Sequence, residues 1–281
     1  MITPFLVKAP AKVNFRLDVL KKRPDGYHEL RMLMQRIDLC DDIEILLTEK
    51  SGIEISCNLP YIPRDRRNIV WKAAEEMLRL SGKNVGIKIK LEKNIPVGAG
   101  LGGGSSDGAS TLMALNELLG TALTDGQLME IGVKLGADVP FFIFGKPAIA
   151  EGIGEKFTLL ENLPEMWILL VNPGIHVSTS WVYQNLGLTS EKVAAKLPIH
   201  FNSVAELSDI LSNDLETVTI GRYPLISKIK NLLTEAGAKG SLMSGSGSTV
   251  FALFESRSAA NDALQSLPTG NGWFSKVVTT I

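Results

Sequence analysis

Pro96-Val97-Gly98-Ala99-Gly100-Leu101-Gly102-Gly103-Gly104-Ser105-Ser106 is the stretch on which the reading of this chain turns. Five of its eleven residues are glycine and none is lysine or arginine. Without a Cβ the backbone can take positive φ and a ligand can approach it closely. Upstream, Val85, Ile87, Ile89 and Leu91 alternate with Gly86, Lys88, Lys90 and Glu92, the period of a half-covered strand ended by Lys93-Asn94. Downstream, Ala109, Leu112, Met113, Leu115, Leu118 and Leu119 have helical spacing, and Gly120 closes the run. Ser105 and Ser106 are the expected N-cap candidates, with Asp107 in the first turn. A strand, a glycine loop and a helix follow in order, which aims unpaired N–H groups and the positive end of a helix dipole at a bound anion, phosphate above all.

Other phosphate-binding glycine motifs fit less well. A P-loop ends in Gly-Lys-Ser/Thr, whereas Gly103 is followed by Gly104. Gly98, Gly100 and Gly103 match the dinucleotide spacing, but Thr124-Asp125-Gly126-Gln127 after the helix reads as another helix cap and not as the required second strand. The H-R-D and D-F-G signatures that accompany a protein-kinase glycine loop are absent from the sequence.

Working towards the N-terminus, Asn68 is expected to cap a helix carrying Ile69, Val70, Ala73, Ala74, Met77 and Leu78 and ending near Gly82. Met32 to Ile37 and Ile43 to Leu47 read as two strands, with 38–42 as an acidic surface loop between them. In 9–19, Val13, Phe15, Leu17 and Val19 share one strand face, and Lys12, Asn14, Arg16 and Asp18 share the other. Taken alone, that second face reads as solvated. Pro24-Asp25-Gly26 is turn chemistry, and Tyr27-His28 after it suit either a plain hairpin or a ring and an imidazole offered to a ligand.

Towards the C-terminus, Thr124 or Asp125 starts a helix stopped by Gly136. Asp138 then leads into the apolar run 139–144, either bonded to local N–H groups or placed for chemistry. Glu151 to Glu155 reads as a tight loop between strands, and 155–165 as a boundary dividing the chain into 1–160 and 161–281. Trp167 to Val171 is a strand candidate, Ser178-Thr179-Ser180 caps a helix carrying Trp181 and Tyr183, and 187–203 reads as irregular and mobile. The remainder predicts a helix over 225–236, a second glycine loop over 240–248, a strand over 250–254, a helix over 259–267 and a last strand over 276–281, together an antiparallel sheet covered by helices.

The chain has 281 residues, of which 45% are hydrophobic and 21% charged, so a sizeable core is available for one large or two ordinary domains. A net charge of −1 gives no surplus for nucleic acid. Cys40 and Cys57 read as reduced thiols of a cytoplasmic protein, and no apolar run approaches membrane-spanning length.

Taken together, Pro10-Ala11-Lys12-Val13-Asn14, the stretch 96–106 and Gly240 to Ser248 resemble the three motifs of the GHMP small-molecule kinases. Arg23 to His28 and Gly136 to Phe142 resemble the branch of that superfamily acting on a diphosphocytidyl methylerythritol. The resemblance spans nearly the whole chain. It implies an α+β, two-domain GHMP kinase fold, with an N-terminal ribosomal-protein-like α/β domain and a C-terminal ferredoxin-like α+β domain. It also implies ATP with Mg²⁺, phosphorylation of the substrate's 2-hydroxyl, and a step in non-mevalonate isoprenoid synthesis. The partner implied is that small molecule, with no nucleic acid and no membrane, for a monomer or homodimer.

Carried onto this sequence, the resemblance makes Lys12 and Asp138 the catalytic pair. It gives Pro96, Val97, Gly98, Ala99, Gly100, Leu101, Gly102, Gly103, Gly104, Ser105 and Ser106 the ATP phosphates, with Lys93 bordering the nucleotide pocket. Asn14, Tyr27, His28 and Tyr183 hold the substrate, Tyr183 by stacking on cytosine. A homoserine- or mevalonate-type kinase, or a non-catalytic nucleotide-binding regulator, is the alternative expectation.

Overall fold

The computed structural model describes residues 3–188, 192, 194 and 196–281. The expected mobility of 187–203 falls in part on residues outside that set. The chain forms two compact units interleaved in sequence, the first from residues up to Ala11, Leu39–Ile95 and Gly102–Gly145, the second from Lys12–Asp38, Pro96–Leu101 and Lys146–Ile281. The division expected at 160/161 is contiguous, whereas these units exchange segments. The chain passes from one to the other within two long strands, β1 (Phe5–Lys22) and β2 (His28–Thr48), at the glycine loop, and after Gly145.

In the first unit, β3 (Gly52–Cys57) runs parallel to β4 (Gly86–Glu92), and β4 runs antiparallel to the end of β2 with Ile43 opposite Leu91 and Ile45 opposite Ile89. Alternation decides the covered face, since Ile43, Ile45, Ile87, Ile89 and Leu91 are buried. Helix α1 (Ile69–Ser81) begins where Asn68 accepts a hydrogen bond from the Val70 N–H and stops at left-handed Gly82. Helix α2 (Gly103–Leu119) packs against it. Its N-cap is Gly102, earlier than the expected Ser105 or Ser106, because the glycine main chain turns into the helix without a side-chain cap. Helix α3 (Asp125–Leu135) carries the full capping box of Thr124 and Gln127. The apolar run after Asp138 is a short buried helix, α4 (Val139–Phe144), started by Pro140 and packed on α2 and α3.

Strand β2 corrects the expected surface loop at 38–42, because it continues unbroken through that stretch and Asp41 is fully buried. The period-2 pattern does not falter there, and three acidic residues within it mimic a loop.

In the second unit, the start of β2 pairs with β5 (Ala148–Gly152), which pairs with β6 (Lys156–Leu159). After β7 (Trp167–Asn172) come α5 (Thr179–Asn185), capped by Ser178, then α6 (Val204–Asp209), β8 (Ser212–Asn213), α7 (Glu216–Arg222) and α8 (Leu225–Glu235). Strand β9 (Gly240–Met243) takes the first part of the expected second glycine loop, and β10 (Val250–Phe254), α9 (Arg257–Ser266) and β11 (Phe274–Thr279) complete the chain. The order β11-β7-β10-β9 is antiparallel throughout, as the pattern predicts. Every residue of β10 is buried, and Phe251 meets Phe15 of β1 edge-on, with ring centroids 5.8 Å apart.

Candidate active site

Three left-handed glycines shape the loop, with φ of 64° at Gly98, 79° at Gly100 and 72° at Gly102. They turn the main chain back and forth, which exposes N–H groups that a regular element would consume. At the start of α2 the N-cap supplies no side-chain acceptor, so first-turn N–H groups stay available to an anion.

Gly100 is the junction of the motifs. Its carbonyl accepts from Lys12 Nζ at 3.1 Å and from Ser244 Oγ at 2.9 Å. The Lys12 main-chain N–H donates to the Leu101 carbonyl at 2.9 Å, and the Thr249 N–H to that of Ala99 at 3.3 Å. A Cβ on Gly100 would lie 2.0 Å from the Ser244 carbonyl oxygen, so the contact is main chain against main chain. The turn between β9 and β10 is itself held from below, because Asn213 Nδ2 donates to the Met243 and Gly245 carbonyls at 2.8 and 2.7 Å. Thr219 Oγ1 donates to the Ser246 carbonyl at 3.3 Å.

Lys12 and Asn14 are not on a solvated face. Their exposures are 3% and 1%, and Lys12 Nζ donates to Asn14 Oδ1 at 2.5 Å. The opposite face, with Val13 and Phe15, is also buried, so alternation here separates two covered faces instead of a wet one from a dry one. A buried ammonium is costly unless it is hydrogen-bonded, and Asn14 Oδ1 and the Gly100 carbonyl supply acceptors.

Tyr27 is exposed and follows a turn tied by Arg23 to both Asp25 and Glu29. His28 opens β2, and its ring stacks on Tyr183 of α5, with centroids 4.9 Å apart and planes 24° apart. Burial, then the positive charge of Lys22, lowers the His28 pKa, which favours the neutral imidazole with one donor and one acceptor nitrogen. Such a pair of nitrogens matches the mixed edge of a nucleobase.

Asp138 lies in the first unit, at the N-cap position of α4, half-buried, and its side chain does not cap that helix. Two residues earlier, Gly136 packs against Ser105 of α2, the space for its Cβ lying 3.7 Å from Ser105 Oγ. Gly136, two residues before Asp138, thus lies beside the beginning of the helix that the loop opens. Lys93, Asp41 and Asp107 gather in the same unit, with Lys93 Nζ 2.5 Å from Asp107 Oδ2 and paired also with Asp41.

Two participants carried no sequence signal. His176 lies against the loop, its Nδ1 2.7 Å from where a Gly98 Cβ would sit, and nothing local marks that histidine among turn residues. Asp41 was obscured by its acidic neighbours.

Comparison with known proteins identifies the family. The family model "GHMP kinases N terminal domain" matches residues 68–146, and "GHMP kinases C terminal" matches 193–271. A Citrifermentans bemidjiense protein named 4-diphosphocytidyl-2-C-methyl-D-erythritol kinase is 62% identical over 273 residues, covering 97% of this chain and 98% of its own. A Geobacter sulfurreducens protein of the same name is 59% identical over 275 residues, covering 98% of each. The crystal structure of a 4-(cytidine 5'-diphospho)-2C-methyl-D-erythritol kinase matches with a TM-score of 0.82 at 34% identity, covering 98% of this chain and 99% of that one. Homoserine kinase from Cytophaga hutchinsonii, at 23% identity and a TM-score of 0.71, shares the fold. The three motifs that meet at Gly100, the two family models and relatives aligned from end to end make this chain a member of the GHMP kinases, in the family of the 4-diphosphocytidyl-2-C-methyl-D-erythritol kinases.

Proposed function

We propose that this chain transfers the terminal phosphoryl group of ATP to the 2-hydroxyl of 4-(cytidine 5'-diphospho)-2-C-methyl-D-erythritol. The observation that carries the reading is the double contact on the Gly100 carbonyl, where Lys12 of the first motif and Ser244 of the third hold the loop of the second. Identity of 62% over nearly the full length to a kinase of that name supports the substrate.

In this reading the main-chain N–H groups of 96–106 grip the phosphates of ATP, and Lys93 borders the nucleotide pocket. Asp138 accepts the proton of the 2-hydroxyl as its oxygen bonds to the terminal phosphorus. The bond from that phosphorus to the bridging oxygen breaks, and ADP leaves with the electron pair. Lys12, fixed by Asn14, orients the hydroxyl and offsets negative charge on the transferring group, the positioning and charge stabilisation on which phosphoryl transfer depends. Asn14, Tyr27 and His28 hold the substrate, and Tyr183 offers the face on which cytosine stacks, in place of its present contact with His28.

Among the described residues no three His, Cys, Asp or Glu side chains form a group that could hold a metal ion. Mg²⁺ belongs to the ATP substrate, on its phosphate oxygens. The contiguous domains 1–160 and 161–281 are part of the proposal, supported by family models that fall one on each side of the division. So is action in the cytoplasm on a small molecule, without nucleic acid or membrane, as a monomer or homodimer. Its supports are a net charge of −1 and the lack, among the described residues, of any helix long and apolar enough to cross a membrane.

Phosphorus NMR of the protein incubated with MgATP and the cytidyl alcohol, in parallel with homoserine and with mevalonate, tests the assignment. A new phosphomonoester on the cytidyl alcohol alone is expected. Transfer only to homoserine or mevalonate, or ATP binding without transfer to any alcohol, overturns it.

A further inference from the structure

Beneath the stems of the glycine loop lies a buried cluster of which the reading above uses only Lys93, at the border of the nucleotide pocket, and neither carboxylate. Asp41 of β2 is fully buried, and its Oδ1 accepts the N–H groups of Asn94 at 2.6 Å and Ile95 at 2.8 Å, the last two residues before Pro96. Its Oδ2 pairs with Lys93 Nζ, and Lys93 reaches on to Asp107 Oδ2 at 2.5 Å, one residue beyond Ser106. The three side chains are 5%, 0% and 5% exposed for Lys93, Asp41 and Asp107. The start of α2 rests on the same cluster, because a Cβ on Gly103 would lie 3.1 Å from Ile95 Cγ2 and 3.4 Å from Asp41 Oδ2.

Three stretches of chain are tied together by charge in a buried place. Such a cluster is a poor source of stability, since apolar replacements of buried ion groups are often neutral or stabilising by about 1–4 kcal/mol. What a cluster of this kind supplies is direction. Two carboxylate oxygens and one ammonium can be satisfied in few geometries, and here those geometries fix residues 93–95 and Asp107, one on each side of the loop. Donors aimed at a ligand are effective when they need no rearrangement on binding.

Resting on the kinase reading above, we propose that Asp41, Lys93 and Asp107 are positioning residues, a buried clamp that sets the two stems of the phosphate loop and so pre-aims its main-chain N–H groups at ATP. Asp41 is its centre, since it alone holds both main-chain N–H groups and the lysine. The charges are unequal, two carboxylates to one ammonium. Burial pushes the Asp107 carboxyl up to about 7 against the pull of Lys93, with the Asp41 charge adding to the rise. Asp107 Oδ1 is buried without a hydrogen-bond partner, as befits the end of the clamp with the looser fit.

Asp41→Asn tests the clamp, because it keeps an acceptor for the two N–H groups, removes the charge that holds Lys93, and concerns a side chain with no exposed surface for a nucleotide to touch. Titration calorimetry with a non-hydrolysable ATP analogue and, separately, with CDP reads the two ligand sites without any turnover. The expected result is a nucleotide-analogue Kd raised about tenfold or more, equivalent to about 1.4 kcal/mol, with the CDP Kd unchanged. Hydrogen exchange is expected to rise across 94–106 and not in β7 or β10. A purely structural role lowers the melting temperature and leaves both affinities of the folded protein at wild-type values, which overturns the proposal, as does an equal loss for both ligands. If Asp41→Asn does not fold, Asp107→Asn gives the same readout at the other stem. Absence of phosphoryl transfer by the wild-type protein defeats the kinase reading and is measured separately from these affinities.

Discussion

Gly100→Ala probes the junction at which the three motifs of the candidate active site meet. Gly100 has φ of 79°, where a side chain costs about 1–2 kcal/mol. The new Cβ would also lie 2.0 Å from the Ser244 carbonyl oxygen, 3.0 Å from the Ser244 carbonyl carbon and 3.1 Å from the Gly247 nitrogen. These are main-chain atoms and cannot rotate away, so overpacking adds about 1–3 kcal/mol. The sum is a loss of roughly 2–5 kcal/mol, with the Gly100 carbonyl pushed off Lys12 Nζ and Ser244 Oγ. Gly104→Ala, four residues on, is the control. Gly104 is exposed, helical and has nothing within 4 Å of its missing Cβ, so alanine there gains roughly 0.5–1 kcal/mol. Thermal melting of the two variants beside the wild type, followed by ATP-dependent turnover below the lower melting temperature, gives both readings. A fall in melting temperature for Gly100→Ala with a rise or no change for Gly104→Ala is expected. Equal stability of Gly100→Ala and wild type would refute the packing of the second motif on the third.

Asp138→Ala is expected to lower turnover by about 10²–10⁴-fold with its melting temperature near wild type, and undiminished turnover rules the carboxylate out as the base. Tyr183→Ala removes the ring stacked on His28 and is expected to raise KM for the cytidyl substrate several-fold, with KM for ATP unchanged in steady-state assays. The Asp107 carboxyl titrates near 7 in the fold against an ordinary value of 3.8, so between those values the folded protein holds a proton that the unfolded chain releases. Its contribution to stability therefore falls as pH rises from about 4 to about 7 and is flat above, and melting curves of Asp107→Asn are expected to lack that slope. Asn68→Ala removes the acceptor for the Val70 N–H and the donor to the Pro63 carbonyl and is expected to cost about 0.5–2 kcal/mol in a denaturant titration, without changing KM.

Local signals carried much of this fold. Asn68 and Gly82 bound α1, Thr124 with Gln127 starts α3, and alternation from Gly86 to Glu92 made β4, because each is an interaction between residues a few positions apart. The loop was legible for the same reason, since glycine spacing is a main-chain property that no distant contact is needed to reveal. The stretches at 9–19 and 38–42 behaved differently. Alternation named two faces of β1 but not what covers them, and both are covered, so Lys12 and Asn14 are buried where a wet face was expected. Acidic residues at 38–42 spelled a loop, but Asp41 is enclosed and bonded to Lys93, Asn94 and Ile95 more than fifty residues away. Sequence by itself determined the elements with strong local periodicity, the glycine loop and the family motifs, but not α6, β8 or α7. Tertiary structure alone decided that Lys12, Ser244 and Gly100 share one carbonyl and that Asp41 holds the stems. Burial of a charge is a sum over partners brought in from far along the chain, and a local pattern contains no term for them.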